Sequence, residues 1–279
     1  MKTAVFLHGH ARTWNYTKTN TISLMTEIYG DVDWYFGAPR TQTVSTDSLT
    51  TDFAEQNLVA CMLLDEDDYP LPNGHDDLCD WRFYSPAYWK LAWTDYHLSI
   101  AKRKYEIEQG VRYDNVLFLR PDCWYLPPHD INQSQYQLHS MAVSQIGPSG
   151  GMHLDDWACD DLAYRAGSMA ADLLGMRWHD THYNIYDVNQ MVHGNSQALL
   201  AQYVSRNHVS QHPGAGYFKM LLVRPDWVDQ LPWSWQKHDL NHNDSTTWGT
   251  LPTAEKIEIC RKLDIDPRDY DINPNDYSL

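Results

Sequence analysis

Tyr113-Asp-Asn-Val-Leu-Phe-Leu-Arg-Pro-Asp-Cys-Trp-Tyr125 is the stretch whose reading decides the fold. Val116 to Leu119 form an unbroken apolar run, β-branched and aromatic enough for a strand buried on both faces. Arg120-Pro121-Asp122 ends that run abruptly, because proline removes a ladder donor and biases its predecessor toward extended geometry. Two opposite charges are thereby placed at a strand tip. In an open α/β sheet the carboxyl ends of the strands are where ligands bind. An Asp there can hold a divalent metal, and an Arg there can face a phosphate. Taken alone, the tripeptide reads more readily as a solvated ion pair capping a strand.

The flanks extend the pattern. Ser85 to Gln109 reads as a long amphipathic helix, with Tyr88, Leu91, Ala92, Tyr96, Ile100 and Tyr105 at helical spacing. Lys102, Arg103, Lys104, Glu106 and Glu108 are expected to solvate its far end, and Gly110 closes it. At the amino terminus, Thr3 to His8 is a first strand running into His8-Gly9-His10-Ala11-Arg12-Thr13, followed by a polar helix from about Tyr16 to Tyr29. A strand, glycine turn and helix form a βα unit whose loop lets backbone approach a phosphate. Further on come Asp33–Gly37 as a second strand and Thr41–Thr51 as a Thr/Ser-rich loop. Asp52–Asn57 reads as a short helix and Val59–Leu64 as a third strand, leading into the acidic, Pro- and Gly-containing segment Asp65–Asp80. Met141–Ile146 reads as a strand, and Asp160-Asp161-Leu-Ala-Tyr164 enters another, with Gly167-Ser168 opening a helix that Ser168 is expected to cap. Asp187 to Arg206 reads as a helix, and Tyr217 to Arg224 as a strand ending in a second Arg-Pro-Asp.

Composition bounds the function. A chain of 279 residues with this apolar content fits one large α/β domain, here residues 1–226, with 227–279 as an acidic C-terminal extension packing on it. A formal net charge of −16 argues against a nucleic-acid surface, since a phosphate backbone needs a basic footprint. A small anionic ligand would need local arginines or a bound cation. The five Cys are scattered without a Cys-x-x-Cys pair, which reads as reduced thiols and no zinc site of the usual spacing. With neither a leader peptide nor a membrane-length apolar run in view, a cytoplasmic, soluble protein is expected.

The order helix, Gly-x-x-Tyr-Asp, apolar strand, Arg120-Pro121-Asp122 resembles a group of glycosyltransferases of the GT-A type, in which the Arg-Pro-Asp tip sits where better-known members carry Asp-x-Asp. The first strand followed by Gly9-x-x-Arg12-Thr13, and Asp161-Leu-Ala-Tyr164 before Gly167-Ser168, are similar to two further motifs of that group. The resemblance implies an open, mostly parallel sheet flanked by helices, and transfer of a sugar from a nucleotide-sugar donor to a carbohydrate or other hydroxyl acceptor. It places His8, Gly9, Arg12, Thr13 and Arg120 around the nucleotide. Asp122 would hold Mn²⁺ or Mg²⁺, with a second ligand from Asp155, Asp156 (the first choice), His208 or His212. An inverting enzyme also needs a carboxylate base at the acceptor hydroxyl, for which Asp161 is preferred over Asp160. Two other classes compete. One is a transferase-like fold used for glycan binding or assembly, kept open by the single Asp in place of Asp-x-Asp. The other is a metal-dependent hydrolase beginning with His8-Gly9-His10, which would need about eight βα units that the sequence does not offer.

Overall fold

The computed structural model describes residues 1–41, 44–71, 86–126, 140–146, 158–183, 210–213 and 219–222, with a few single positions between 200 and 261. Strands β1 (Thr3–His8), β2 (Val32–Pro39), β3 (Asn57–Leu64), β4 (Asn115–Leu119), β6 (Ser140–Ile146), β7 (Ala158–Ala166) and β8 (Ser210–Pro213) form one sheet in the order β3-β2-β1-β4-β7-β6-β8. β5 (Cys123–Leu126) and β9 (Lys219–Leu222) make a separate antiparallel pair. The first four strands of the large sheet are mutually parallel, β7 runs against both of its neighbours, and β8 is parallel to β6. This is the open, mostly parallel α/β sheet expected from the apolar strands.

Helix α1 (Trp14–Tyr29) connects β1 to β2, and the long α3 (Pro86–Gln109) carries the chain from β3 back to β4. α4 (Ser168–Gly175) and α5 (Arg177–His182) follow β7. Alternation along the strands divides the core into two layers. Val5, Leu7, Trp34, Phe36, Leu117 and Leu119 meet Trp14, Leu24 and Met25 of α1 on one face. Ala4, Phe6, Tyr35, Val116 and Phe118 meet Leu98 of α3 and Ala170, Ala171 and Leu174 of α4 on the other. The central strands are therefore buried on both sides, which is why they read as continuous apolar runs. Gly37 brings α3 close to the sheet, since a Cβ there would lie 2.4 Å from Thr94 Cγ2.

Three expectations are corrected. The Thr/Ser-rich segment taken as loop contains α2 (Thr46–Asp52), because Ser45 and Ser48 form a reciprocal capping box. The helix after β7 has Gly167 as its N-cap, while Ser168 turns inward and its hydroxyl donates to Glu106 Oε1 at 2.7 Å. Lys102 and Glu106 do not solvate the end of α3. Both are buried, Lys102 completely, because α4 covers that side of the helix. Lys102 Nζ is satisfied there by Glu106 Oε2 at 2.9 Å, Ser168 Oγ at 2.7 Å and Asp172 Oδ1 at 2.9 Å. Most of Asp187–Arg206, the second Arg-Pro-Asp and nearly all of the 227–279 extension lie outside the described residues.

Candidate functional site

The strand order creates one place where loops diverge. From β1 the chain crosses by α1 to β2 on one side. From β3 it returns by α3, over the opposite face, to β4 on the other side of β1. The crevice outside the carboxyl ends of β1 and β4 is thus the topological switch point, the position at which open α/β sheets take their ligands. The two loops bordering it are Gly9–Thr13 and Arg120–Asp122, the two segments that the sequence singled out.

The β1 loop turns at Gly9, whose φ of 101° suits glycine and whose N–H donates to Gly37 O at 3.2 Å. The Arg12 side chain is exposed beside the crevice and its Nη2 lies 3.4 Å from His10 Nδ1. Thr13 is buried; its carbonyl accepts the N–H groups of Tyr16 and Thr17 and so begins α1. His8 behaves differently from the expectation. Its side chain lies wholly within the α3-side layer, because β1 alternation puts it on the same face as Ala4 and Phe6, and its Nδ1 meets Asp95 Oδ1 of α3 at 2.6 Å. It is a buried anchor under the loop rather than part of the crevice lining.

The β4 tip is a built turn. Arg120 donates Nε–H to Asp122 Oδ1 at 2.8 Å and Nη2–H to Asp122 Oδ2 at 2.7 Å, a bidentate fork closed across the proline. The Asp122 side chain is fully buried, while that of Arg120 keeps 17% of its surface. The backbone of the turn is clamped as well. Tyr125 Oη accepts from Arg120 N–H at 2.7 Å and donates to Arg120 O at 2.9 Å. From α1, Thr17 Oγ1 donates to Pro121 O at 2.5 Å, and Asn20 pairs through both amide atoms with the backbone of Tyr125, at 2.9 and 2.7 Å. The polar character of α1 now has a physical account. Its buried Thr17 and Asn20 hydrogen-bond the backbone of Pro121 and Tyr125.

β7 brings in the third segment. It pairs antiparallel with β4 up to Leu119↔Ala163, so the residues preceding Ala163 continue past the end of the β4 ladder, on the carboxyl edge of the sheet. On its other side, β6 advances only from Val143 to Gln145 while β7 runs from Tyr164 to Cys159, so Asp160–Ala163 bulge out of that ladder. The backbone of Asp160 and Asp161 is therefore delivered to the crevice edge. Asp156, with Asp155, lies outside the described residues.

A buried charge cluster was not anticipated. Beneath the β1 tip, Asp95 receives His8, the Arg177 guanidinium of α5 and, at 3.5 Å, the Tyr164 hydroxyl. Burial alone would raise the Asp95 carboxyl, but His8 and Arg177 outweigh it and hold it below its ordinary value. In the sequence Asp95 is one polar position within the Ser85–Gln109 helix, and no local signal marks which polar residue turns inward.

Among the described residues no group of three or more His, Cys, Asp and Glu is placed to hold a metal ion. No helix there is long and apolar enough to cross a membrane. No family model matches the sequence, and no curated protein does. Several solved structures align with this chain at low scores. A glycosyltransferase involved in glycosylation of the major capsid of PBCV-1 aligns with a TM-score of 0.39 at 12% identity, covering 77% of this chain and 83% of its own. The galactosyltransferase LgtC, solved with donor and acceptor sugar analogues, gives 0.35 at 13% identity, covering 75% of this chain and 66% of its own. Mouse xyloside xylosyltransferase 1 in its apo form gives 0.40 at 9% identity, with 76% and 84% covered.

Proposed function

We propose that this chain is a GT-A-type glycosyltransferase whose nucleotide-sugar donor binds in the β1/β4 crevice and whose acceptor is a carbohydrate or other hydroxyl. The observation that carries the reading is the convergence of three loops on that one switch point: the Gly9 turn, the Arg120–Asp122 fork and the Asp160–Ala163 bulge. Gly9 leaves backbone without a side chain where a phosphate would approach. Arg120, and Arg12 across the crevice, supply positive charge to an otherwise acidic protein.

Transfer forms a bond between the acceptor oxygen and the anomeric carbon as the bond from that carbon to the diphosphate breaks. The diphosphate leaves with the electron pair, and the charge that develops on it is what Arg120 and Arg12 would meet. In an inverting reaction the acceptor proton passes to a carboxylate, for which Asp161 is proposed and Asp160 is the neighbour to test. One of the two serves, and Asn variants of each tell them apart.

A divalent cation belongs to the same proposal. The donor type fits, since Asp122 and Asp156 offer hard carboxylate oxygens of the kind Mg²⁺ and Mn²⁺ prefer. When bound, such an ion neutralises charge on the leaving diphosphate. Asp122 already gives both oxygens to Arg120, so it would have to share an oxygen with the ion or exchange its arginine.

The test is a thermal-shift screen of nucleotide sugars with and without Mn²⁺, followed by donor hydrolysis and transfer assays on any hit. A ligand that binds only the folded state raises the melting temperature. Binding without turnover over any donor would favour the non-catalytic glycan-binding or assembly reading, and no binding at all would refute the crevice assignment.

A further inference from the structure

Asp95 lies where α3, α5, β1 and β7 meet, and each of its oxygens has a defined partner. Oδ1 faces His8 Nδ1 at 2.6 Å; Oδ2 faces Arg177 Nη2 and, more distantly, the Tyr164 hydroxyl. Arg177 is held in turn by donating Nη1–H to Leu174 O at 2.8 Å, with its guanidinium over the Tyr88 ring. His8, Asp95 and Arg177 are all buried.

This arrangement fixes the proton on His8. An ionised carboxylate can only accept, so the Nδ1 atom beside it carries hydrogen. Arg177 already balances the Asp95 charge. Nε2 is buried and has no hydrogen-bond partner among the described residues, so Asp95 is what holds the ring. His8 is therefore oriented through its Nδ1–H on Asp95. It is also the last β1 residue in register, opposite Gly37, immediately before the peptide from which Gly9 turns.

We propose that Asp95 and Arg177 are positioning residues for donor binding. They act through His8, locking its ring and thereby the shape of the Gly9 loop at the crevice. The inference rests on the donor-site reading above, and it adds to that reading residues of α3 and α5 that touch neither donor nor crevice.

Two measurements test it. In the first, ¹⁵N spectra of histidine-labelled protein without ligand should show hydrogen on His8 Nδ1. A His8 ring without hydrogen on Nδ1 overturns the inference whatever the protein binds. In the second, affinities for each of the four common nucleoside diphosphates are titrated across variants. Asp95→Asn should weaken binding by about tenfold or more. Tyr113→Phe, which removes a buried hydroxyl contact to Asp33 at the opposite end of the sheet, is the destabilised control and should stay within about threefold of the parent. Should Asp95→Asn fail to fold, the His8 pair decides. His8→Leu removes the Nδ1 contact, whereas His8→Asn restores an amide donor near Nδ1 with no atom at Nε2, and it should recover most of the affinity that His8→Leu loses. If His8→Asn is as weak as His8→Leu, or if the control loses as much affinity as Asp95→Asn, the positioning role is refuted. If the parent protein binds none of the nucleotides, the donor-site reading itself fails, a result distinct from a His8 Nδ1 without hydrogen.

Discussion

Asn20→Ala should loosen the Arg120–Asp122 turn from within α1. The Asn20 amide donates to Tyr125 O at 2.9 Å and accepts from Tyr125 N–H at 2.7 Å, and the side chain is only 8% exposed. Truncation removes one acceptor from the buried Tyr125 N–H and one donor from its carbonyl. Each such loss costs about 1–3 kcal/mol, so the pair should cost about 2–5 kcal/mol, the lower end applying if water enters the space. In a domain of this size each kcal/mol lowers the melting temperature by roughly 2–4 °C. The assay is equilibrium unfolding in urea, with nucleotide titration of the folded protein alongside. Thr17→Val removes a single bond to Pro121 O and should cost about 1 kcal/mol. Because both residues hold one turn, the double variant should depart from additivity by at least about 0.5 kcal/mol. Asn20→Asp is a sharper probe, since it keeps the acceptor but sets a carboxylate oxygen against the Tyr125 carbonyl. It should be worse than Asn20→Ala at neutral pH and should improve on acidification. An Asn20→Ala variant whose stability lies within about 0.5 kcal/mol of the parent would show that α1 does not hold the turn, and would refute the reasoning.

Further outcomes follow from the same contacts. Asp161→Asn should stop transfer, by about 10²–10⁴ in rate, while donor binding survives. If Asp160→Asn is instead the dead variant, the register of β7 at the crevice is the other one, and if both remain active the base lies elsewhere or the enzyme retains configuration. Asp122→Asn should abolish any Mn²⁺-dependent gain in nucleotide affinity by calorimetry, and because it breaks the fork to Arg120 it should also lower the melting temperature. Gly175→Ala places a Cβ 2.2 Å from Ser99 Oγ and 3.1 Å from Asp95 O, so it should destabilise the α3–α4 seam by about 1–3 kcal/mol in urea unfolding. Acid should weaken the fold at the two buried clusters. Burial opposes ionisation of both Asp95 and Glu106, but Asp95 is held below its ordinary value by His8 and Arg177, and Glu106 by the Tyr113 N–H, Ser168 and Lys102. A depressed carboxyl contributes stability that is fully present above its unfolded value, about 3.9 for Asp and 4.3 for Glu, and that is lost as pH falls through the folded one. Asp172, raised by burial against the pull of Lys102, acts in the opposite sense. Urea midpoints should therefore fall as pH drops below about 4, and Glu106→Gln should flatten that fall.

Sequence by itself determined the elements whose side chains meet one uniform environment. Thr3–His8 and Val116–Leu119 are apolar at nearly every position because the sheet is covered on both faces, and that continuity shows in the chain without knowledge of the neighbours. The breaks at Gly9 and Pro121 were legible for the same kind of reason, since they follow from the conformational limits of single residues. Tertiary structure alone decided what the polar residues do. Lys102 and Glu106 lie in a run of charges that reads as a solvated helix end, and only the approach of α4 turns two of them into a buried cluster while Lys104 and Glu108 stay exposed. Asp122 reads as a strand-tip carboxylate whether it faces a crevice or its own Arg120, because the path of the proline turn selects between them. His8 and Asp95 stand far apart in the chain and become one unit only when α3 lies along the α4-bearing face of β1. Hydrophobic periodicity is a local property that a sequence displays directly, whereas the partner of a polar group is a non-local one, set by which helix crosses which strand tip.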